Sequence, residues 1–184
     1  MNIEELYSKL IAHILEGVMF HDQMNHYYDF LGLRGYSKDH EYHSAKEYQD
    51  YVKIWGCYIQ RSQKLLPPPK LENKSYIPSS WFKYKRQDVD PSTKKDSIKS
   101  GLNLWVEWEQ STKDTYESLY KETDDVETLL LLEDMIKEVS EELQEAQLCQ
   151  LELKAADYDL SLIVSEQNSI YDEARVKLTH LYFK

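Results

Sequence analysis

Residues 20–51 read FHDQMNHYYDFLGLRGYSKDHEYHSAKEYQDY, and this stretch decides the fold. It contains four of the chain's six histidines, namely His21, His26, His40 and His43. A short turn with Gly32 and Gly35 separates two segments of helical spacing, which predicts a helical hairpin. The hairpin would bring the histidines together near one of its ends.

The first helix is predicted over residues 3–30, because apolar side chains recur at alternating spacings of four and three, as they do in helix bundles. This inward row comprises Ile3, Tyr7, Leu10, Ile14, Gly17, His21, Met24, Tyr28 and Leu31. Two of its members are unusual. Gly17 has no side chain and permits a close neighbour, and His21 places a polar ring where an aliphatic residue is expected.

Four further helices are predicted at about residues 37–66, 92–122, 125–155 and 159–181. Ser37 is expected to cap the second helix, and three consecutive prolines from Pro67 onward should end it. The second inward row is predicted as Glu41, Ala45, Tyr48, Val52, Trp55, Ile59, Ser62 and Leu66. The third is predicted as Ile98, Leu102, Trp105, Glu109, Thr112, Tyr116 and Leu119. A single continuous helix from residue 125 onward is the alternative to a break near residues 155–159.

Residues 67–91 form a long connection, whereas the turns on either side of it are short. At roughly 3.3 Å per residue, this connection can span the roughly 43 Å length of the second helix. Helices two and three are therefore expected to run parallel, as in a four-helix bundle with one long crossover. The predicted fold class is all-α, with an extra C-terminal helix, in one domain covering residues 1–184.

Composition argues against several classes of function. The formal net charge of −11 disfavours nucleic acid or an anionic membrane as the main partner. The longest apolar run, Leu129 to Leu132, is far too short to span a bilayer. Cys57 and Cys149 form no disulfide framework and the first residues lack a signal-peptide pattern, so a cytoplasmic location is expected. No nucleophile–base motif, phosphate-binding loop or zinc spacing is present in the sequence.

Candidate metal ligands occur at matching heights on neighbouring helices. Counting outward from the first turn places His21 level with Glu47. Counting outward from the turn near residue 124 places Glu109 level with a stretch that carries Glu138, Glu141 and Glu142. Di-iron bundles need such inward carboxylates together with histidines, and these ligands suit iron or manganese.

These features resemble the ferritin-like superfamily over about residues 3–150. The resemblance rests on the topology, on the Leu-Gly-Leu-x-Gly-Tyr turn, and on a second helix that opens with Glu41 and His43. That opening is similar to the Dps-type branch, where a histidine of helix one faces acidic residues of helix two. The chain also looks like small ferritin-like proteins encoded in prophages of Gram-positive bacteria.

The resemblance implies a site residue by residue. His21 would stand for the ligand of helix one, and Glu41 or Glu47 with His43 for the pair of helix two. The carboxylate of helix three would be Glu109, and that of helix four Glu138 or Glu141. The sequence departs from the family at the Glu-x-x-His pair, because Ser44 and Asp50 occupy the positions three residues after Glu41 and Glu47.

Two function classes therefore remain open. The departures favour a metal-free or degenerate-site module for assembly or interaction, whose partner would be a second copy or another protein. The alternative is a di-metal protein of ferritin or Dps type that binds iron or manganese. On the first reading His21 is a core histidine with an ordinary hydrogen-bond partner, and Glu109 pairs with Lys113, a tyrosine or His21.

Overall fold

The structure, a computed structural model, describes residues 1–71 and 74–182. The described residues form five α-helices: α1 Ile3–Phe30, α2 Arg34–Ser62, α3 Pro91–Lys121, α4 Val126–Ala155 and α5 Leu160–Tyr182. Two short 3-10 turns, Ser79–Lys83 and Arg86–Asp88, lie in the connection between α2 and α3. These residues include no strand, and none of their helices is long and apolar enough to cross a membrane.

The helices form a bundle with one long crossover. Gly32 adopts a left-handed backbone (φ 75°) in the tight turn that makes α1 and α2 antiparallel. Contacts of His13 with Thr112, and of Tyr27 with Ser97, show that α3 runs antiparallel to α1 and hence parallel to α2. α4 then returns along α3. The predicted all-α fold class, with a long crossover and an extra C-terminal helix, is confirmed.

The bounds of α2 differ from the predicted ones. The helix begins at Arg34, because its first amides bond to the side chain of Gln167 in α5, a partner that is distant in sequence. Ser37 is therefore not the cap, and its hydroxyl donates a hydrogen bond to a side chain of α1. The helix ends at Ser62, because Gln63 adopts a left-handed conformation with φ 55°.

The inward face of α2 also differs from the predicted one. Tyr48 and Val52 were expected to face inward but are 54% and 53% exposed, and Glu41 is exposed as well. The buried residues of α2 are Gly35, Tyr36, Asp39, His40, His43, Ile54 and Tyr58. This face lies about a third of a turn from the predicted row, at 3.6 residues per turn. The apolar spacing selected the wrong side because the true inward face carries several polar residues.

The apolar core consists of two clusters separated by a polar layer. One cluster surrounds Trp105 and Trp108 near the α1–α2 turn, and the other surrounds Ile14 and Tyr58 at the far end of the bundle. Trp105 and Leu143 are buried, whereas Trp55 and Ile136 are half-buried.

A break separates α4 from α5, as predicted. Asp157 and Tyr158 both have left-handed backbones (φ 49° and 53°) and reverse the chain there. α5 then runs parallel to α2, with Gln167 at the start of α2 and the carbonyl of Leu181 accepting from Gln49. Ile163, Ala174 and Leu178 are its buried apolar residues, whereas Val164 is exposed.

Candidate functional site

The polar layer between the two clusters is built around three histidines. His21 comes from α1, and His40 and His43 come from α2, where a spacing of three places them on one face. All three side chains are buried, and the ring of His21 stacks against those of His40 and His43 at 5.2 and 5.1 Å. The polar layer therefore contains three packed imidazole rings in the interior of the bundle.

His21 connects a second histidine to a carboxyl group. Its Nδ1 lies 2.9 Å from Nδ1 of His40, so one of these two nitrogens must carry the proton and the other must accept it. Its Nε2 lies 3.5 Å from Oε1 of Glu109, which also accepts a hydrogen bond from the indole of Trp105 at 3.0 Å. Burial lowers the pKa of both His21 and His40 well below the ordinary value, so both rings are neutral near pH 7.

Glu109 is itself uncharged over much of the pH range. It is buried in α3, and burial, together with the nearby carboxylate of Glu142, raises its pKa to about 8 although His43 acts in the opposite direction. Near pH 7 the chain His40–His21–Glu109 is therefore a row of neutral groups that share protons.

His43 differs from the other two histidines because it lies between carboxylates. Its Nδ1 lies 3.6 Å from Glu142, and its Nε2 lies 3.8 Å from Asp39, which is too long for a hydrogen bond. Burial lowers the pKa of His43, but Glu142, Asp39 and Glu109 outweigh this effect and raise it to about 9. His43 is therefore a buried imidazolium at neutral pH.

Lys46 supplies a second positive charge at the edge of the layer. Its ammonium contacts Oε1 of Glu138 at 2.8 Å and also donates to Oε1 of Glu142. Burial acts to lower the pKa of Lys46, but the effect of these carboxylates is larger, so the pKa of Lys46 is raised above its ordinary value. Burial acts to raise the pKa of Glu142, but His43 and Lys46 lower it to about 2. The cations and anions of the layer thus stabilise each other's charged forms.

Glu47 occupies the space that Gly17 leaves on α1. A Cβ atom at position 17 would lie 3.0 Å from both Cδ and Oε1 of Glu47, closer than ordinary contact. Burial and the carboxylates of Glu142 and Glu109 raise the pKa of Glu47 well above its ordinary value. A cavity of about 20 Å³ lies between Glu47 and Lys46, which is room for about one water molecule.

The structure brings four of the predicted site residues into the layer: His21, His43, Glu47 and Glu109. Glu138 lies at its half-exposed edge. Glu41 and Glu141 are exposed and lie outside it, and Glu41 pairs with Lys38.

Sequence reasoning missed His40 and Lys46 as members of the layer, whereas Glu142 was predicted to lie level with Glu109. The spacing of His40, His43 and Glu47 (three, then four) was the available signal, because it places all three on one helical face.

The ligand types of this layer suit iron or manganese, but their arrangement does not fit a metal ion. Within residues 1–71 and 74–182, no group of three or more His, Cys, Asp or Glu side chains is placed to hold one. The reason lies in the contacts: His21 and His40 use their Nδ1 atoms on each other, and Lys46 occupies the carboxylates of Glu138 and Glu142.

Comparison with known proteins agrees with this architecture. A crystal structure of an open pore ferritin from the hyperthermophilic archaeon Archaeoglobus fulgidus superposes on this chain with a TM-score of 0.69. The match covers 91% of this chain and 93% of the ferritin chain at 16% sequence identity. No family model matches the sequence, and no curated protein is significantly similar to it. At this identity the match establishes the fold, which is ferritin-like.

Proposed function

We propose that this chain is a ferritin-like module for assembly or interaction, whose central charges are balanced by its own side chains without a metal ion. The ammonium of Lys46 carries the proposal, because it lies between Glu138 and Glu142 where a bound cation would otherwise be needed. The imidazolium of His43 supplies a second internal charge beside Glu142. Carboxylates that converge in a low-dielectric interior require such partners.

The outer face of α2 supports the assembly part of the proposal. Tyr48, Val52 and Ile59 recur at helical spacing and are all exposed, and the half-buried rings of Tyr51 and Trp55 adjoin them. We define these five residues as the α2 stripe. Apolar side chains that are contiguous on a surface mark interfaces more often than isolated ones do. A second copy of the chain is the occupant that we propose for the α2 stripe.

A second candidate function is a di-metal protein that binds iron or manganese. Its support is the chemistry of the layer, since buried imidazoles and carboxylates lie between helices in a fold that a ferritin shares. The two candidates differ in a measurable way, because a ligand that binds only the folded state must raise its stability.

Thermal unfolding with and without manganese(II) or iron(II) separates the candidates. We expect the melting temperature of the wild type to be unchanged by either metal. Lys46→Ala should lower it without metal, because Glu138 and Glu142 lose their cation, and should make it sensitive to added manganese. Lys53→Ala, an exposed lysine on the same helix, serves as the control. A metal-dependent rise for the wild type, or oxidation of iron(II) by it in air, would support the di-metal candidate instead.

Sedimentation tests the assembly part separately. We expect the wild type to self-associate. The double variant Val52→Glu, Ile59→Glu should remain monomeric, because association would bury its unpaired charges. A wild type that is monomeric at all concentrations would contradict self-association through the α2 stripe.

A further inference from the structure

The crossover, together with the first turns of α3, differs in charge from the rest of the molecule. Residues 64–99 contain nine Lys or Arg against four Asp or Glu, whereas the rest of the chain contains 13 against 29. Lys83, Lys85 and Arg86 are exposed bases within four residues, at the part of the crossover that lies against the end of α1. A chain that is strongly acidic as a whole therefore presents a basic surface at this position.

An aromatic groove adjoins these bases. It has a volume of about 280 Å³ and is lined by His26, Tyr27, Phe30, Ile77, Trp81, Phe82 and Tyr84. This volume lies slightly below the range of about 300–1,000 Å³ that is typical of small-molecule sites. Phe82 is 68% exposed although it borders an apolar surface, which is costly for a side chain without a partner.

The groove is held in shape by several contacts. Trp81 packs its ring against those of Tyr27 and Phe30 at 5.4 and 6.2 Å. Arg86 donates to the carbonyl of Phe30 and pairs with Asp29 at 2.8 Å. A partner would therefore meet a surface whose backbone and rings are already placed, which lowers the entropic cost of binding.

The outer face of α4 has the complementary chemistry. Glu141, Glu145, Leu148 and Glu152 are exposed and follow each other at spacings of four, three and four, so they form one stripe. Leu148 and its neighbour Leu151 are 55% and 60% exposed. We define these five residues as the α4 stripe. It combines carboxylates with two leucines that are large enough to enter an apolar groove.

We propose that the basic crossover and aromatic groove of one copy bind the α4 stripe of a second copy. Opposite charges would orient the two surfaces, and the leucines would fill the groove that adjoins the bases. Because the two surfaces are different, the contact is heterologous, and it continues to a third copy unless it closes into a ring. This proposal is independent of how the central layer balances its charge, and it uses a surface separate from the α2 stripe.

A charge exchange tests the pairing. Lys83→Glu with Lys85→Glu, and Glu141→Lys with Glu152→Lys, are purified separately, and molar mass is measured by light scattering at low salt. We expect each variant alone to show a lower mass than the wild type, and an equal mixture of the two to regain mass because the reversed charges pair across copies. The mass of the wild type should also fall as salt is raised, since salt screens exposed charges.

Two further variants make the result specific. Lys113→Glu with Lys121→Glu changes the net charge equally on another surface and should leave the mass unchanged, whereas Phe82→Ser should lower it without any change of charge. A mixture that stays at the mass of its components, or a wild-type mass that does not depend on salt, overturns the proposal. Dimers that persist in both charge variants but are lost in the double variant Val52→Glu, Ile59→Glu would overturn the pairing proposed here and leave the proposed function intact.

Discussion

Replacing Glu109 with glutamine should stabilise the protein increasingly as the pH rises. The folded state holds this carboxyl in its protonated form up to a pKa of about 8, whereas the ordinary value, 4.5, applies to the unfolded chain. Between these two values the folded state therefore keeps a proton that the unfolded state has lost. Wild-type stability must then fall as pH rises through this window. The glutamine variant lacks this contribution.

The size of the effect follows from the two pKa values. At about 1.4 kcal/mol per pKa unit, the variant should gain about 4 kcal/mol relative to the wild type between pH 5 and pH 8. At pH 5 the two proteins should be similar, because the amide oxygen can still accept the hydrogen bond of Trp105 and no charge is removed.

Denaturant unfolding at a series of pH values measures this difference directly. His43 and Glu142 also titrate, and both remain in the two proteins. Because Glu109 raises the pKa of His43, the difference between the two curves reports position 109 together with its effect on His43. Glu107→Gln, an exposed position on the same helix, is the control and should give parallel curves. A difference that stays constant, or that shrinks as pH rises, would refute the assignment of Glu109 as a buried neutral acid.

Four other substitutions test the packing. Trp105→Ala should cost about 3–5 kcal/mol in unfolding free energy, the usual range for a core aromatic, and a loss under about 1 kcal/mol would show that the ring is not buried. Gly56→Ala should raise the unfolding free energy by about 1 kcal/mol, because nothing lies near the added Cβ. Gly101→Ala should lower it by about 1–3 kcal/mol, because the added Cβ would lie 2.6 Å from a buried tyrosine hydroxyl. Chemical denaturation of both variants measures whether each change stabilises or destabilises the protein. Gln167→Ala should cost about 1–3 kcal/mol and speed hydrogen exchange at the start of α2, since two buried amides lose their acceptor; unchanged exchange would contradict that role.

The sequence predicted α1 and α3 better than α2 for a physical reason. In α3 every member of the predicted inward row is buried, including Glu109, because the apolar residues on either side of it define the face without ambiguity. In α2 the inward face holds His40, His43 and the half-buried Glu47, while apolar Tyr48 and Val52 face outward. Hydrophobic spacing reports which side is apolar, and in α2 that side is not the core.

The sequence predicted the position of the candidate site along the bundle axis, but it did not predict the contacts within the site. Counting residues from each turn placed His21 near Glu47, and both lie in the layer, because antiparallel helices keep a fixed register. Which nitrogen faces which oxygen depends on the rotation of each helix, and this rotation was misassigned for α2. The role of Lys46 depends on carboxylates of α4 almost a hundred residues away, so no local pattern could indicate it.

On our proposal of a site without a metal ion, the position of the layer indicates what its polar side chains contribute. It separates two apolar clusters, and its members come from α1, α2, α3 and α4. A shift of α1 by one turn would move His21 by about 5.4 Å, away from Glu109 and into apolar surroundings. A buried polar group that loses its partner costs about 1–3 kcal/mol, so each layer residue penalises such a shift. An all-apolar core would tolerate the shift more readily, as coiled coils do when they lack a buried polar residue that fixes their register. On our proposal, the histidines, glutamates and Lys46 therefore fix the alignment of the four helices.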